Sequence, residues 1–405
     1  MSGYNRSEYI DFLKQYKNRE MVKVLTGMRG SGKTAILESF ILYLEESGVA
    51  SGDIVALDLS DPAVQRLFPA SRLYSYILEH APAVRPTYIF LDEVQELPDF
   101  PELADRLFRI QNYDLYLAGS GLAAGLPRLR EVLPGRCAVK TVYPLSFRES
   151  AAALDQAPTV DDLLTYTARS TLPGVWHREV PRRELDPIIS AALFHEVLSD
   201  AGMRWTLLMK LLPYLSPRTG DLIDLSVMAK DTGRAGRPLL HKTLLSYLHR
   251  LAESGILLPM PCRDLDTAAE PPRDFQWARF FFPDPAMMCL WGEGYELPRR
   301  QLMNAAAVEM LRRAGQVWAG RSAAGTVDFV TEESGIRTAW QLIPNPSAVY
   351  ARPKWETLCR LPGTLRKRVL TGHPEAFERR ADILVTDLFS WFLPGLPAAE
   401  PYKKG

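Results

Sequence analysis

A glycine-rich run that follows a short apolar strand constrains this chain more than any other feature. Residues 22–34 read VKVLTGMRGSGKT, with the spacing G-x-x-x-x-G-K-T between Gly27 and Thr34. In such a loop successive backbone N–H groups converge on phosphates, the lysine reaches the outer phosphates, and the threonine hydroxyl coordinates magnesium. Apolar residues then recur at helical spacing from Ala35 to Glu46, and Gly48 is a suitable helix stop. The residues predicted to bind the nucleotide are Gly27, Arg29, Gly30, Ser31, Gly32, Lys33, Thr34 and Ala35.

A second apolar run ends in two acids, which a phosphate loop of this kind requires nearby. Residues 87–96 read TYIFLDEVQE, a strand that is apolar on both faces. Ligands sit at the carboxyl ends of strands in parallel sheets. Asp92 is therefore predicted to join Thr34 in holding Mg²⁺, and Glu93 to activate the attacking water as a general base.

The strands around these motifs favour an ATPase. A further strand candidate, 53–59, lies between the two motifs, so the phosphate strand and the acidic strand are not expected to be neighbours. The glutamate directly after Asp92 and the absence of an N-K-x-D motif favour ATP over GTP.

Two polar residues beyond the acidic strand are further catalytic candidates. Ser120 stands between two glycines after the strand 114–118, where it can sense the γ-phosphate or orient water; a plain turn explains it equally well. Arg136 precedes a strand at 138–142 and could act as a finger on the transferred phosphoryl group, in its own chain or toward a neighbouring subunit. A solvated loop arginine is the alternative. The predicted catalytic set is Lys33, Glu93, Ser120 and Arg136.

Six stretches of the chain carry a resemblance to a known group of proteins. They are KVLTGMRGSGKTAILESF, YIFLDEVQELPDF, DLYLAGSGLAAGL, LPGRCAVKTVYPLSFRES, FFFPDPAMMCLW and TVDFV. Together they resemble prokaryotic ATPases of the AAA superfamily that carry a C-terminal domain of unknown function. The resemblance implies an α/β fold: a P-loop AAA-type domain with a parallel sheet and helices on both faces, a winged-helix-like domain, and a restriction-endonuclease-like α/β domain.

A shift in composition after Ser150, the order of the predicted elements and the resemblance together divide the chain into five predicted parts. They are an ATPase domain at 1–150, a helical connector at 151–201, a winged-helix-like domain at 202–275, a degenerate nuclease-like domain at 276–393 and a flexible tail at 394–405.

The middle part shows the element order of a winged helix. Helices are predicted at 205–215, 225–232 and 239–253, followed by a short strand pair, and the third helix would enter a major groove. Residues 202–262 hold eight Lys or Arg and four Asp or Glu, a net charge of 8 − 4 = +4. DNA phosphates are predicted to contact Arg234, Arg237, Lys242 and Arg250. The alternative is a packing or protein-contact module.

The C-terminal part departs from the nuclease pattern that its resemblance implies. That fold uses an acid on one strand and acid-x-Lys on the next to hold magnesium and steady the nucleophile. Asp328 matches the first acid and Glu309 matches a helix acid sometimes added to the set, but Gln341-Leu342-Ile343 stands where acid-x-Lys should be. We therefore expect no DNA cleavage. Binding of a nucleic-acid end or of a protein partner, or closure of the core alone, remains open.

Composition limits the other partners. The chain has 48 Lys or Arg and 48 Asp or Glu residues, so its formal net charge is zero. Net charge therefore does not attract the molecule to nucleic acid or to an anionic membrane. The four cysteines form no C-x-x-C pair, which argues against zinc and disulfides and favours the cytoplasm. No apolar stretch is long enough to cross a bilayer, so no membrane partner is expected.

Two functional hypotheses from different classes follow. The preferred one is a Mg²⁺-dependent ATPase whose nucleotide state controls the positions of the winged-helix-like and C-terminal domains. Its rival is a switch that holds ATP, hydrolyses it slowly and binds a protein or DNA. An ATP-driven nuclease is a third, which the missing acid and lysine disfavour.

Overall fold

The computed structural model describes residues 6–81, 85–122, 125–154, 157–176, 181–198, 202–233, 237–267, 275–291 and 297–393. Two sheets organise these residues. The first comprises five strands, namely β1 (Val22–Thr26), β2 (Ile54–Asp58), β3 (Thr87–Asp92), β4 (Tyr113–Gly119) and β5 (Cys137–Thr141). The predicted flexible tail, 394–405, lies outside the described residues.

All five strands of the first sheet are parallel, in the order β2-β3-β4-β1-β5. Central β3 is buried along its whole length, as a strand covered on both faces must be. The expectation that the phosphate strand and the acidic strand are not neighbours is confirmed, and the strand between them is β4 rather than β2. Because β4 lies between β1 and β3, its carboxyl end sits between the two sequence motifs.

Helices cover both faces of this sheet. Their bounds are α1 (Ser7–Tyr16), α2 (Lys33–Glu46), α3 (Pro62–Gln65), α4 (Ala70–His80), α5 (Phe100–Phe108) and α6 (Leu126–Val132). One core cluster packs α1 and α2 on one face through residues such as Leu13 and Phe40. Another packs α4, α5 and α6 on the other face through residues such as Leu73, Leu103 and Leu129. The predicted α/β fold with a parallel sheet and helices is confirmed.

A helical connector leads into the middle segment. The helices are α7 (Phe147–Ala151), α8 (Val160–Ala168), α9 (Pro181–Ala192), α10 (Trp205–Leu215), α11 (Leu225–Asp231) and α12 (His241–Glu253). A single π-turn, Leu193–Val197, continues α9. The three helices predicted in the middle segment start and end within two residues of α10, α11 and α12.

The second sheet has eight strands in the order β13-β12-β11-β10-β9-β7-β8-β6. They are β6 (Ile223–Asp224), β7 (Leu258–Asp264), β8 (Trp277–Phe281), β9 (Val317–Ser322), β10 (Gly325–Glu333), β11 (Ile336–Leu342), β12 (Arg366–Thr371) and β13 (Ile383–Asp387). The accompanying helices are α13 (Leu297–Ala314), α14 (Ala351–Arg360) and α15 (Leu388–Phe392).

One continuous sheet therefore runs through the middle and C-terminal segments. Strand β7 pairs antiparallel with β8 and, on its other edge, parallel with β9. Both pairings cross the boundary predicted at 275/276.

Candidate functional site

The glycine-rich loop leaves β1 and turns directly into α2. Gly27, Gly30 and Gly32 have φ of 150°, 82° and 94°, values that L side chains rarely adopt. A Cβ on Gly27 would lie 2.2 Å from the carbonyl oxygen of Val142, so this position admits only glycine. The loop thus brings its backbone close to the end of β5 and leaves its N–H groups at the start of α2, as a phosphate-binding loop requires.

Lys33 is the cation of this loop, and it is only 4% exposed. Its Nζ donates to the carbonyl oxygens of Gly27 and Met28, at 3.1 Å each. Burial lowers the pKa of Lys33, although the nearby carboxylates of Glu93, Glu196 and Asp92 oppose the shift. Because its hydrogen bonds go to backbone carbonyls, the ammonium can exchange them for phosphate oxygens.

The other loop residues predicted to bind nucleotide surround this lysine. Arg29 is half-buried, and its charge acts on Lys33 and on Glu196. Ser31 is fully buried, and its Oγ has no hydrogen-bond partner among the described residues. Ala35 is exposed at the start of α2.

The residues predicted to hold magnesium meet directly. Thr34 Oγ1 donates a 2.6 Å hydrogen bond to Asp92 Oδ2, at the carboxyl end of β3. Asp92 is 7% exposed, and burial raises its pKa, although the hydrogen bond from Thr34 opposes the shift. A hydroxyl and a buried carboxylate at the head of a phosphate loop fit a hard, oxygen-seeking divalent cation.

Glu93 belongs to a three-residue hydrogen-bond cluster. It has a left-handed φ of 50°, and its carboxylate accepts from Gln95 Nε2 and from Ser120 Oγ, the latter at 3.3 Å. The backbone N–H of Ser120 donates to Gln95 Oε1 at 3.2 Å. The structure therefore brings Glu93 and Ser120 together, and adds Gln95, which the sequence analysis missed. Its position two residues after the second acid was the available signal.

A further carboxylate enters from the connector. Glu196, in the π-turn after α9, is 8% exposed, and neither oxygen has a hydrogen-bond donor in good geometry among the described residues. A Cβ on Gly121, directly after Ser120, would lie 3.4 Å from Glu196 Oε2. Burial raises the pKa of Glu196 to about 7, and the Ser120 hydroxyl and the charge of Lys33 oppose the shift. Sequence analysis missed this residue, which no local motif marks.

The connector also covers the glycine-rich loop. A Cβ on Gly30 would lie 3.4 Å from Ile188 Cγ2, and one on Gly32 would lie 3.3 Å from Pro173 Cγ. Met28, at the tip of the loop, is 2% exposed and belongs to the hydrophobic core of the middle segment, with Leu172 and Leu193. The phosphate loop is thus packed into the core of the middle segment through Met28.

Arg136 lies at the other edge of the first sheet. Strand β5 starts at Cys137 opposite Val22, whereas the phosphate loop follows Thr26 at the far end of β1. Four residues of strand separate the two edges by roughly 13 Å. Arg136 pairs with Glu20 at 2.9 Å. A finger role on its own phosphate loop is therefore wrong, because the side chain points to an ion pair at the opposite edge; a role toward another subunit stays a prediction.

The C-terminal acids have cationic partners. Asp328 accepts from Lys354 Nζ at 2.5 Å and from the backbone N–H of Leu342 at 2.8 Å. A lysine from α14 thus reaches the acid that the sequence left without one. Glu309 pairs with Arg312 and Arg313 on its own helix, at 3.3 and 2.7 Å. Gln341 donates to the carbonyl oxygen of Thr326 at 2.7 Å, in the fully buried middle of the sheet.

The residues predicted to contact DNA have different surroundings. Arg237, shortly before α12, and Lys242, in the first turn of α12, are both exposed. Arg250 is half-buried and pairs with Glu253 at 3.3 Å. Arg234 lies outside the described residues.

The described part of the chain has neither a metal-binding cluster of its own nor a membrane-spanning helix. No cluster of three His, Cys, Asp or Glu residues there could hold a metal ion by itself. No helix within the same residues has the length and apolar character to cross a membrane.

Comparison with known proteins gives a family match over the first third of the chain and one relative over most of its length. Residues 19–151 match a family described as an AAA domain. An uncharacterized protein of Haemophilus influenzae is 24% identical over 382 residues, which cover 91% of this chain and 93% of that protein.

Solved structures give weaker likenesses. The Walker-type ATPase of Pyrococcus abyssi has a TM-score of 0.46 and 15% identity, covering 71% of this chain and 95% of that one. The Aeropyrum pernix ORC1 protein, in complex with DNA, has a TM-score of 0.29 and 13% identity, covering 76% and 95%. Likeness at this level bears on neither the ligand nor the activity of this chain.

Proposed function

With an AAA domain at residues 19–151 as the premise, we propose that this protein is a magnesium-dependent ATPase whose nucleotide state sets the position of the segments that follow. The observation that carries the proposal is the convergence of Lys33, Thr34, Asp92, Glu93 and Ser120 at one edge of the sheet. Each has the chemistry of a distinct role in phosphoryl transfer.

The binding roles follow from the contacts. The backbone of the loop and Lys33 hold the phosphates, with Arg29 as a second cation beside them. Thr34 and Asp92 would hold Mg²⁺, which would supply positive charge to offset the charge that develops on the phosphates. Burial favours the protonated form of Asp92, and its carboxylate would ligate Mg²⁺ once that proton is lost.

The catalytic roles centre on Glu93. Its carboxylate takes the proton from the attacking water, while Gln95 and Ser120 fix its orientation. Ser120, at the end of the strand between the loop and the acids, is also placed to respond to the γ-phosphate.

Coupling to the rest of the chain goes through the connector. Glu196 acts on Lys33 and Arg29, the two cations assigned to the phosphates. Once ionised, Glu196 competes with the ATP phosphates for those cations, and Met28 links the loop to the core of the middle segment. Nucleotide binding is therefore expected to shift the connector and the middle segment.

The segments that receive this movement support two finer proposals. The order α10-β6-α11-α12-β7-β8 suits a winged helix, in which exposed Arg237 and Lys242 would contact DNA phosphates. The C-terminal segment suits a nuclease-like fold that does not cleave DNA, because buried Gln341 replaces a carboxylate metal ligand.

ATP turnover tests the central proposal. Glu93→Gln should retain ATP binding and lose about 10²–10⁴-fold in turnover, the usual contribution of a general base. Lys33→Ala should lose ATP binding. Glu96→Gln, which removes a half-buried acid of the same turn, is the matched control and should change little. Undiminished turnover in Glu93→Gln would refute the assignment.

One observation favours a slow binding switch as a second candidate. The Glu93 carboxylate already accepts hydrogen bonds from Gln95 and Ser120, which occupy acceptor positions that an attacking water would need. Turnover measured with and without duplex DNA, at two salt concentrations, separates the two. Salt-sensitive stimulation by DNA favours a DNA-linked ATPase, whereas slow turnover unchanged by DNA favours the switch.

A further inference from the structure

A cavity lies at the predicted nuclease acid, Asp328. Its volume is about 210 Å³, and its lining includes the loop at Asp221, Arg279 on β8, Arg299 and Arg300 on α13, Asp328 on β10 and Lys354 on α14. These elements come from the middle and the C-terminal segments, which share one sheet. The cavity is far along the chain from the phosphate loop and uses none of its residues.

Positive charge dominates the lining of this cavity. Four cationic side chains and two carboxylates give 4 − 2 = +2. Excess charge of one sign in a partly enclosed space costs free energy that a bound counter-charge offsets. The balance therefore favours an anion as the occupant.

Asp328 is not available to a metal ion. Burial alone would raise its pKa, but the charges of Lys354 and Arg279 and the hydrogen bond from Lys354 hold the pKa of this carboxyl below its usual value. Lys354 is at 2.5 Å and Arg279 at 3.5 Å. A divalent cation would have to displace both, and would then face the remaining cations of the lining.

Unused hydrogen-bond donors belong to the same side chains. The Nε atoms of Arg279 and Arg300 are buried without a hydrogen-bond acceptor among the described residues, and Arg279 as a whole is 6% exposed. The Lys354 pKa is lowered by burial, and the charges of Arg279 and Arg299 lower it further. These cations thus repel one another, and guanidinium groups match the geometry of phosphate oxygens.

We propose that this cavity binds a single phosphate group of the monoester type. Its volume of about 210 Å³ lies below the roughly 300–1,000 Å³ of sites that enclose a drug-sized ligand, so it accommodates one charged group and leaves the remainder of the ligand outside. Two sources share this chemistry, a free phosphate compound and the terminal phosphate of a nucleic-acid strand.

Calorimetric titration with inorganic phosphate tests the proposal in full-length protein carrying Lys33→Ala, so that the phosphate loop does not contribute. Arg299→Gln in that background should weaken binding about tenfold or more, as loss of a charged hydrogen-bonding partner does. Arg352→Gln is the matched control, because Arg352 is an exposed cation of α14 outside the cavity lining. It should bind phosphate unchanged.

Two further measurements complete the test. A 5′-phosphorylated oligonucleotide that binds more tightly than its 5′-hydroxyl counterpart, with the difference lost in Arg299→Gln, identifies the source as a nucleic-acid end; equal binding identifies a free phosphate compound. The unfolding temperature, measured in phosphate and in chloride at equal ionic strength, checks the site independently of the heat of binding. No phosphate binding, equal weakening by both arginine variants, or Mn²⁺ binding that Asp328→Asn abolishes would overturn the proposal.

Discussion

Replacing Glu196 by Gln tests whether the buried carboxylate from the connector lowers the free energy of unfolding of the nucleotide-free protein. The side chain is 8% exposed beside Ser120, and the charged groups that act on it are Lys33, Glu93 and Arg29. Burial, the largest influence, raises its pKa from 4.5 to about 7. The folded state therefore holds this proton at pH values where the unfolded chain has released it.

The sign and size follow from proton linkage. Between pH 4.5 and about 7 the folded state binds more protons than the unfolded state, so stability falls as pH rises through this window. At about 1.4 kcal/mol per pH unit, the full window amounts to about 3–4 kcal/mol. Below the window both states are protonated and Glu196 contributes no pH dependence. Glutamine does not titrate, so the Gln variant should escape this loss.

Urea denaturation of the nucleotide-free protein at pH 5 and pH 8 measures the difference. The free energy of unfolding of Glu196→Gln relative to the parent should rise by about 2–3 kcal/mol between the two pH values. Asp186→Asn, which neutralises an exposed carboxylate of the same helix, should show no such change. If the Gln variant loses stability toward pH 8 as the parent does, Glu196 is ionised in the folded state and the reasoning is wrong.

Three other perturbations test neighbouring features. Gly27→Ala should abolish ATP binding, measured by nucleotide fluorescence, because its Cβ would lie 2.2 Å from a backbone carbonyl oxygen. The control is Gly48→Ala, where φ is positive but the space around the Cβ is open; it should lower the free energy of unfolding by only about 1–3 kcal/mol and keep ATP binding. Met28→Ala should lower the free energy of unfolding in urea by about 2–5 kcal/mol, as removal of a buried side chain does, and an unchanged value would deny that the loop belongs to the middle core. Lys23→Met should cost about 3–5 kcal/mol by leaving the buried Asp114 carboxylate without its cation, and adding Asp114→Asn should restore much of that; additive losses in the double variant would contradict a coupled pair.

Short motifs made the nucleotide site predictable. The spacing from Gly27 to Thr34 fixes a local backbone shape, and the strand ending at Asp92 has a composition that only a buried position tolerates. Both signals are contained within about ten residues. The strand order adds the rest, because placing β4 between β1 and β3 brings Ser120 to Glu93.

Residues brought in by tertiary packing were not predictable in this way. Glu196 reaches the site only because the connector folds back over the loop, and its own helix gives no sign of a buried acid. Lys354 reaches Asp328 from a helix rather than from the neighbouring strand, so a search by strand spacing passes over it. Arg136 was a candidate from its sequence position alone, but it immediately precedes β5 and so lies at the amino end of that strand, away from the phosphate loop.

The eight-stranded sheet makes the later two-thirds of the chain hard to divide. Strand β7 has β8 on one edge and β9 on the other, and both of these lie after residue 275. A chain truncated there would keep β7 with both rows of backbone N–H and C=O groups open to water, and such edges recruit other chains. The middle and C-terminal segments, produced separately, should therefore aggregate. In evolution these two segments can be exchanged between proteins only together.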